Sequence, residues 1–277
     1  MSVISAVFLG FIQGVAEFLP ISSSGHLSVL QNFFHFQTIE QGHMLFDVLL
    51  HIGTLAAIVV AYWKDIVDIV LDSIGWVQNV RTRLPMDKRG YPGARLLVML
   101  FFGTLPLFVI LPVNDMIERL YYKSGFIGAA FILTGCMLWV SDRMPRGKKT
   151  LQSMTIKDAL LIGLCQAVAT IPGISRSGST ITAGIATGQK RSDAMKYSLL
   201  MSLPAVLGAN FLTFLDALKD GIIWSELPVY LLGTAVAFGV GYVSIRLLQR
   251  ILNKGKFGYF SYYLWGVGLI VLIASIF

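Results

Sequence analysis

The segment "EFLPISSSGH", from Glu17 to His26, interrupts an apolar N-terminal region with a carboxylate, three consecutive serines and a histidine. A second segment, "ATIPGISRSGSTIT" from Ala169 to Thr182, resembles it in the other half of the chain. When the two regions are aligned from Gly10 and Gly163, glutamine, valine-alanine, proline, serine and glycine match in the same order. This ordered match predicts an internal duplication, because chance similarity between apolar segments would not preserve so many polar and small residues.

The composition is typical of a protein that lies within a membrane. Hydrophobic residues make up 55% of the 277 residues and charged residues only 13%, whereas soluble proteins carry about a quarter charged residues. The net charge of +7 is interpreted as basic loops facing anionic lipid, and no nucleic acid partner is expected. The two cysteines lie in apolar runs and indicate neither a disulfide framework nor a cysteine metal site.

Six apolar segments are long enough to cross a bilayer, which takes about 20 residues of α-helix. They are Met44–Trp63, Leu96–Val113, Lys123–Ser141, Tyr197–Leu218, Pro228–Leu248 and Gly258–Phe277. The loops rich in lysine and arginine are placed in the cytoplasm, which puts both termini outside. One of these loops, Lys64–Arg95, is long enough to include a surface helix.

Two further apolar segments do not fit as single spans. Residues 158–189 begin and end beside basic residues, so the segment has to enter the membrane, turn and return on the same side. Residues 1–36 are interpreted as the matching hairpin that enters from outside. The predicted fold is therefore an all-α polytopic membrane protein, with an inverted-topology repeat of six full transmembrane spans plus two re-entrant helical hairpins.

The duplication and the topology support each other. We predict a single integral membrane domain, residues 1–277, with repeat one at about 1–141 and repeat two at about 155–277. Each repeat holds one hairpin and three spans, and an odd number of spans inverts the second repeat relative to the first. In such folds broken helices meet near the middle of the bilayer and form the binding site.

The two motifs carry the features of an anion site. Pro20 and the Pro172-Gly173 pair break the helices, and the serines after them are good N-caps for new short helices whose N-termini favour anions. Arg176 is the only charged residue between Asp158 and Lys190, and an arginine at membrane depth is a candidate functional residue with a planar fork that suits phosphate. The alternative is a structural ion pair between Arg176 and Glu17, and both roles can hold together.

Glu17 and His26 add acid–base capacity beside this anion site, although a lone histidine within a membrane is often a packing residue. Among the three serines we favour Ser23 for a chemical role, because it aligns with Arg176 of the second motif. The serines could also serve only as caps. The sequence contains no P-loop, GxGxxG or zinc pattern, so no organic cofactor is expected.

The segments "QGVAEFLPISSSGH" and "PGISRSGSTIT" resemble the two motifs of the undecaprenyl pyrophosphate phosphatase family, the bacitracin-resistance type of integral membrane enzyme. The resemblance covers nearly the whole chain. It implies hydrolysis of undecaprenyl pyrophosphate to undecaprenyl phosphate and inorganic phosphate, which recycles the lipid carrier for cell-wall (peptidoglycan) synthesis and confers bacitracin resistance. It also implies a multi-pass protein of the bacterial plasma (inner) membrane, a site that opens to the outer face, contacts with membrane lipids and a homodimer.

The resemblance assigns roles to individual residues. Catalysis falls to Glu17, Ser23, His26 and Arg176, and phosphate binding to Ser22, Ser24, Ser175, Ser177, Thr180 and Gln13. Glu17 matches the second acid of the first motif, and Gln13 stands at the first acid position, where many members have glutamate, so this chain lacks one carboxylate of any mechanism that needs two there. A divalent cation, Mg²⁺ or Ca²⁺, bridging Glu17 and the diphosphate is left open, as is the choice between Ser23 and water as the nucleophile. The alternative function is a lipid-phosphate flippase or anion transporter that uses the same midplane site.

Overall fold

The chain folds into helices that pack against one another, as the composition predicts. The computed structural model describes residues 1–34, 44–82, 90–220 and 223–276. In chain order the α-helices are α1 (Val3–Ala16), α2 (Ser23–Phe34), α3 (Met44–Ala61), α4 (Trp63–Thr82), α5 (Pro92–Thr104), α6 (Asn114–Leu120), α7 (Ser124–Arg143), α8 (Ile156–Val168), α9 (Arg176–Ala186), α10 (Arg191–Asp220), α11 (Leu227–Asn253) and α12 (Tyr259–Ala274). The helix α4 lies in the loop Lys64–Arg95, where a surface helix was expected.

Five helical segments in the described part of the chain are long and apolar enough to cross a membrane, which makes this a multi-pass membrane protein. They are Met44–Ala61, Pro92–Val109, Ser124–Arg143, Arg191–Lys219 and Trp224–Asn253, and they match five of the six predicted spans with shifted ends. The sixth, predicted as Gly258–Phe277, is the 16-residue helix α12. At 1.5 Å per residue it is about 24 Å long, shorter than the ~30 Å hydrocarbon core.

The second predicted span begins and ends differently from the sequence-based boundaries. It starts at Pro92 rather than Leu96, because proline fits the first helical position, where no N–H donor is needed. Toward its other end the α-helix stops at Thr104 and continues as a 3₁₀ turn over Leu105–Val109 that contains Pro106. Proline lacks the N–H that an α-helix would use there, so the tighter turn follows.

Both predicted hairpins consist of two short helices with a break between them. The breaks cover residues 17–22, between α1 and α2, and 169–175, between α8 and α9. The two ends of the second hairpin meet at Lys149, whose N–H donates to the Gly188 carbonyl at 2.9 Å and whose Nζ lies 3.1 Å from Asp158 Oδ1. This hairpin therefore returns to the level at which it began. Its re-entrant position in a bilayer stays a prediction.

Matching glycines bring each hairpin against a helix of the other half. A Cβ on Gly10 of α1 would lie 2.4 Å from the Gly233 carbonyl oxygen of α11, and one on Gly163 of α8 would lie 2.2 Å from the Gly103 carbonyl oxygen of α5. Only glycine permits backbones this close. Gly10 and Gly163 are aligned positions of the two repeats. An inverted duplication predicts that each hairpin packs against a helix of the other repeat, as these two contacts do. The repeat boundaries near 1–141 and 155–277 stay predictions.

Polar contacts group the predicted cytoplasmic loops on one face of the protein. Asp142, at the end of α7, accepts hydrogen bonds from Arg191 Nη1 at 2.6 Å and from the N–H groups of Phe257 and Gly258 at 3.2 and 2.9 Å. It thus joins the ends of α7, α10 and α12. The N-terminal amino group and Glu226, both predicted outside, form a separate ion pair at 2.5 Å.

Replacing Asp142 with asparagine is expected to destabilise the junction by about 1–3 kcal/mol, because a charged acceptor shared by three donors is lost. The measurement is the midpoint of thermal unfolding in detergent, which should fall by several degrees. Asp216→Asn is the matched control, since its pair with Lys219 is exposed and worth little. Equal midpoints for Asp142→Asn and the native chain would show that this junction does not hold the helices together.

Candidate active site

The two helix breaks meet inside the helical packing. A Cβ on Gly25, in the first turn of α2, would lie 2.8 Å from the Cα of Gly173 in the second break. Gly173 has a positive φ of 89°, a conformation that glycine adopts without strain. The Thr134 hydroxyl of α7 donates to the Gly173 carbonyl at 3.1 Å and accepts from the Ser175 N–H at 3.4 Å. The second break thus packs against the start of α2 through Gly173 and is held to α7 through Thr134.

Two of the predicted serines cap the short helices that follow the breaks. Ser175 Oγ accepts from the Gly178 N–H at 3.1 Å at the start of α9, and Ser22 Oγ accepts from the Gly25 N–H at 3.4 Å at the start of α2. Both side chains are buried, so these hydroxyls orient the first turns of the helices. Ser22 has a φ of 68°, in the left-handed region that costs a non-glycine residue roughly 1–2 kcal/mol.

Arg176 and Glu17 form an ion pair that joins the two hairpins. Arg176 Nη2 donates to Glu17 Oε1, and the side chains are 23% and 8% exposed, so the pair is shielded from solvent. Nη1 of Arg176 is buried and has no hydrogen-bond partner among the described residues. A buried guanidinium donor without a partner is costly, so the arginine is ready to bind a further anionic oxygen.

The second oxygen of Glu17 accepts two weaker hydrogen bonds. Gln13 Nε2 donates to Oε2 at 3.3 Å, and Ser23 Oγ donates to it at 3.4 Å. Glu17 therefore contacts both the arginine of the second motif and the serine favoured as the reactive residue of the first. Many family members have glutamate at the position of Gln13, and here the glutamine donates a hydrogen bond to the Glu17 carboxylate instead.

His26 is held by partners outside this group. Its Nδ1 lies 2.8 Å from the Ser22 carbonyl oxygen and its Nε2 lies 2.8 Å from the Tyr263 hydroxyl. The ring also packs 4.7 Å, centroid to centroid, from the Phe131 ring. The structure thus brings Ser23 and Arg176 onto the two oxygens of Glu17, whereas both ring nitrogens of His26 bind elsewhere.

The remaining predicted phosphate-binding residues lie around the second break. The Thr180 hydroxyl donates to the Arg176 carbonyl at 2.9 Å, and Ser177 Oγ lies 3.3 Å from Ser175 Oγ. Both side chains are buried, and their hydroxyls stabilise the turn that carries Arg176. Ser24 lies in the first turn of α2, where its carbonyl accepts a hydrogen bond from the Ser28 hydroxyl at 2.8 Å.

Sequence reasoning missed three residues at the site. Ser198 and Ser202 of α10 line a crevice beside Glu17, Arg176 and Ser177 that is too narrow to hold a water molecule, and Ser198 Oγ lies 2.5 Å from Thr180 Oγ1. Their spacing of four residues within an apolar helix was the available signal. Tyr263 lies in the last helix, outside both motifs, and no sequence pattern links it to His26.

The described residues do not form a protein-held site for the divalent cation considered above. They contain no group of three or more histidine, cysteine, aspartate or glutamate side chains arranged to hold a metal ion. Both oxygens of Glu17 are already hydrogen-bonded. Calcium takes six to eight oxygen ligands and magnesium six, so this donor set does not fit a metal cage.

Comparisons with known proteins agree on one family. The family model described as bacitracin resistance protein BacA matches residues 6–270. Proteins named undecaprenyl-diphosphatase are similar over the full length: the one from Methanosphaera stadtmanae is 37% identical over 100% of this chain and 99% of its own. Those from Desulforapulum autotrophicum and Carboxydothermus hydrogenoformans are 38% and 34% identical, each over 99% of this chain and 99% and 97% of their own.

Proposed function

The chain belongs to the bacitracin resistance protein BacA family, and from this premise we propose that it hydrolyses undecaprenyl diphosphate to undecaprenyl phosphate and inorganic phosphate. The observation that carries the proposal is the shielded contact of Arg176, Glu17 and Ser23 between two hairpins. A guanidinium, a carboxylate and a hydroxyl supply anion binding, proton acceptance and a nucleophile or positioning group. The polyprenyl diphosphate is the substrate, and its tail lies among the membrane lipids.

Arg176 would bind the diphosphate. Phosphoryl transfer depends chiefly on neutralising charge on the phosphate oxygens and on positioning the nucleophile in line. The unpartnered Nη1 supplies a donor, and the first turns of α2 and α9 add N–H groups and the positive ends of their helix dipoles. Ser22 and Ser175 support this role indirectly, because they cap the helices that present those groups.

Glu17 would take the proton of the attacking group. The Ser23 hydroxyl already donates to Glu17 Oε2, so proton transfer to this carboxylate requires no rearrangement of partners. Arg176 on the other oxygen keeps the carboxylate oriented. The same geometry serves an attacking water that Ser23 positions, in which case Glu17 accepts the proton of the water.

The test of the proposed function is phosphate release by the purified protein in detergent. The substrate is a prenyl diphosphate, supplied with Mg²⁺ or Ca²⁺ in separate series. The amount of inorganic phosphate released is compared with the amount of prenyl monophosphate formed. Equal amounts of both products are expected, and Ser23→Ala should abolish or greatly reduce them. Detergent removes the two compartments that transport needs, so a flippase or anion transporter would give no phosphate under any of these conditions.

We further propose that this is a protein of the bacterial plasma membrane with both termini outside, a site that opens outward and a homodimeric assembly. The grouping of the basic loop ends at Asp142 and the separate pair of Met1 with Glu226 support this orientation. Loops rich in lysine and arginine lie on the cytoplasmic side of a membrane protein. Dimerisation is tested by the mass of the purified protein–detergent complex.

Single cysteines test the orientation after the two native cysteines are replaced. A cysteine at Ile276, which is 79% exposed, should react with a membrane-impermeant maleimide on intact cells. One at Lys254, in the exposed turn after α11, should react only after permeabilisation. Labelling of Lys254→Cys in intact cells, with Ile276→Cys protected, would reverse the proposed orientation.

A further inference from the structure

The tautomer of His26 follows from its two hydrogen bonds. Nδ1 lies 2.8 Å from the Ser22 carbonyl oxygen, and because a carbonyl can only accept, Nδ1 carries the proton of the neutral ring. Nε2 of the same ring is then an acceptor, and the Tyr263 hydroxyl at 2.8 Å donates to it. The two hydrogen bonds therefore specify a single tautomer and a single ring orientation.

The rings of Tyr263 and His26 also lie parallel to each other with a lateral offset. Their rings are nearly parallel, at 8°, with centroids 5.7 Å apart, while Phe131 closes another side of the imidazole. Without the tyrosine hydroxyl, only the hydrogen bond to Ser22 would oppose a half-turn of the imidazole about its bond to Cβ, which would put Cδ2 and Cε1 where Nδ1 and Nε2 now lie. The Ser22 carbonyl alone fixes only one of the two nitrogens.

We propose that Tyr263 is a positioning residue for phosphate release, acting through His26. This inference rests on the proposed function. Tyr263 comes from α12, the last helix, whereas His26 belongs to the first hairpin, so the contact ties the end of the chain to the motif that carries Ser23 and Glu17. By occupying Nε2 from a fixed direction, the hydroxyl keeps the imidazole beside the first turn of α2 with its unprotonated nitrogen facing away from the backbone.

The position of Tyr263 separates this role from ordinary packing. The side chain is 45% exposed, so replacing it by phenylalanine preserves the ring and most of the buried surface and removes only the hydroxyl. Tyr262, its neighbour in sequence, is 61% exposed and packs edge-on against Trp265. Tyr262→Phe is therefore a matched control that removes a hydroxyl one residue away from the histidine contact.

The first measurement is the kinetics of phosphate release in detergent. We expect Tyr263→Phe to lower kcat about tenfold with little change in KM, since one oriented hydrogen bond is lost to the histidine that the family resemblance assigns to catalysis. Tyr262→Phe should match the native protein. In a His26→Ala background, Tyr263→Phe should have no further effect, because the residue acts through the histidine. Equal losses in the presence and absence of His26 would overturn the proposal.

The second measurement reports the contact itself. Diethyl pyrocarbonate modifies unprotonated imidazole nitrogens, and the modification of His26 can be quantified by mass spectrometry of the peptide that contains it. We expect faster modification of His26 in Tyr263→Phe than in the native protein or Tyr262→Phe, since Nε2 loses its donor. Unchanged modification rates would overturn the proposed contact. If the native protein released no phosphate, the proposed function would fail while this assay still tested the tyrosine–histidine contact.

Discussion

Replacing Arg176 with lysine is expected to lower kcat/KM for phosphate release by about 100-fold or more, the loss typical of removing one preorganised donor to a charged transition state. Arg176 uses Nη2 for Glu17 and leaves Nη1 for an anionic oxygen. A lysine ammonium is a single point donor on a flexible stem, so it cannot hold the carboxylate and the phosphate in one plane. Because the substitution keeps the positive charge, the fall in kcat/KM measures the contribution of the planar, two-point contact.

The measurement is the rate of phosphate release over a range of prenyl diphosphate concentrations. Arg191→Lys is the matched control, because Arg191 also pairs with a carboxylate, Asp142, but away from the hairpin breaks. Its kinetics should stay within about twofold of the native protein, provided that the folded fraction is unchanged. Activity of Arg176→Lys within the same range would show that a planar, two-point contact is not needed.

Replacing Glu17 with glutamine is expected to lower kcat by about 1000-fold, within the range attributed to a general base. The substitution keeps the shape of the side chain and removes its charge, so the Ser23 hydroxyl loses its proton acceptor. Substrate affinity should be unchanged or higher, because Arg176 is released from its carboxylate partner. The expected pattern is therefore a fall in kcat with KM maintained or lowered.

Single-turnover rates and competition by a methylene diphosphonate analogue separate these two effects. Gln13→Ala is the control, since it removes only a 3.3 Å hydrogen bond to the same carboxylate and should cost about tenfold or less. A Glu17→Gln variant that regained its kcat at high Mg²⁺ or Ca²⁺ would contradict the role of proton acceptor. It would indicate instead that Glu17 helps to bind a cation carried by the diphosphate.

The sequence predicted the parts of the site that depend on local chain chemistry. Proline at positions 20 and 172 gave the helix breaks, and serine after each break gave the caps that Ser22 and Ser175 form. Capping involves residues only two or three positions apart, so it can be inferred without knowing the fold. The ion pair between Glu17 and Arg176 was also predicted, as the alternative role of the arginine, because few other partners exist for a charge at membrane depth.

The contacts between distant helices could not be predicted in the same way. Hydropathy identifies a span but leaves its rotation about its own axis undetermined. The four-residue spacing of Ser198 and Ser202 puts them on one helix face without showing what that face meets, and Tyr263 has no such pattern. The partners of His26 depend on the last helix packing beside the first hairpin, and the internal repeat does not mark that helix. Span ends also shifted, as at Pro92, where a local rule competed with hydropathy.

A double-mutant cycle between the two hairpins tests the central claim most directly, because Glu17 and Arg176 are separated by 159 residues in sequence. Phosphate release would be measured for Glu17→Gln, Arg176→Gln and the double variant, each checked for folding in detergent. If both side chains serve one reaction centre, the double variant should be no more than about threefold slower than the slower single variant. Losses that multiply would contradict the account, since they would place the two residues in independent roles.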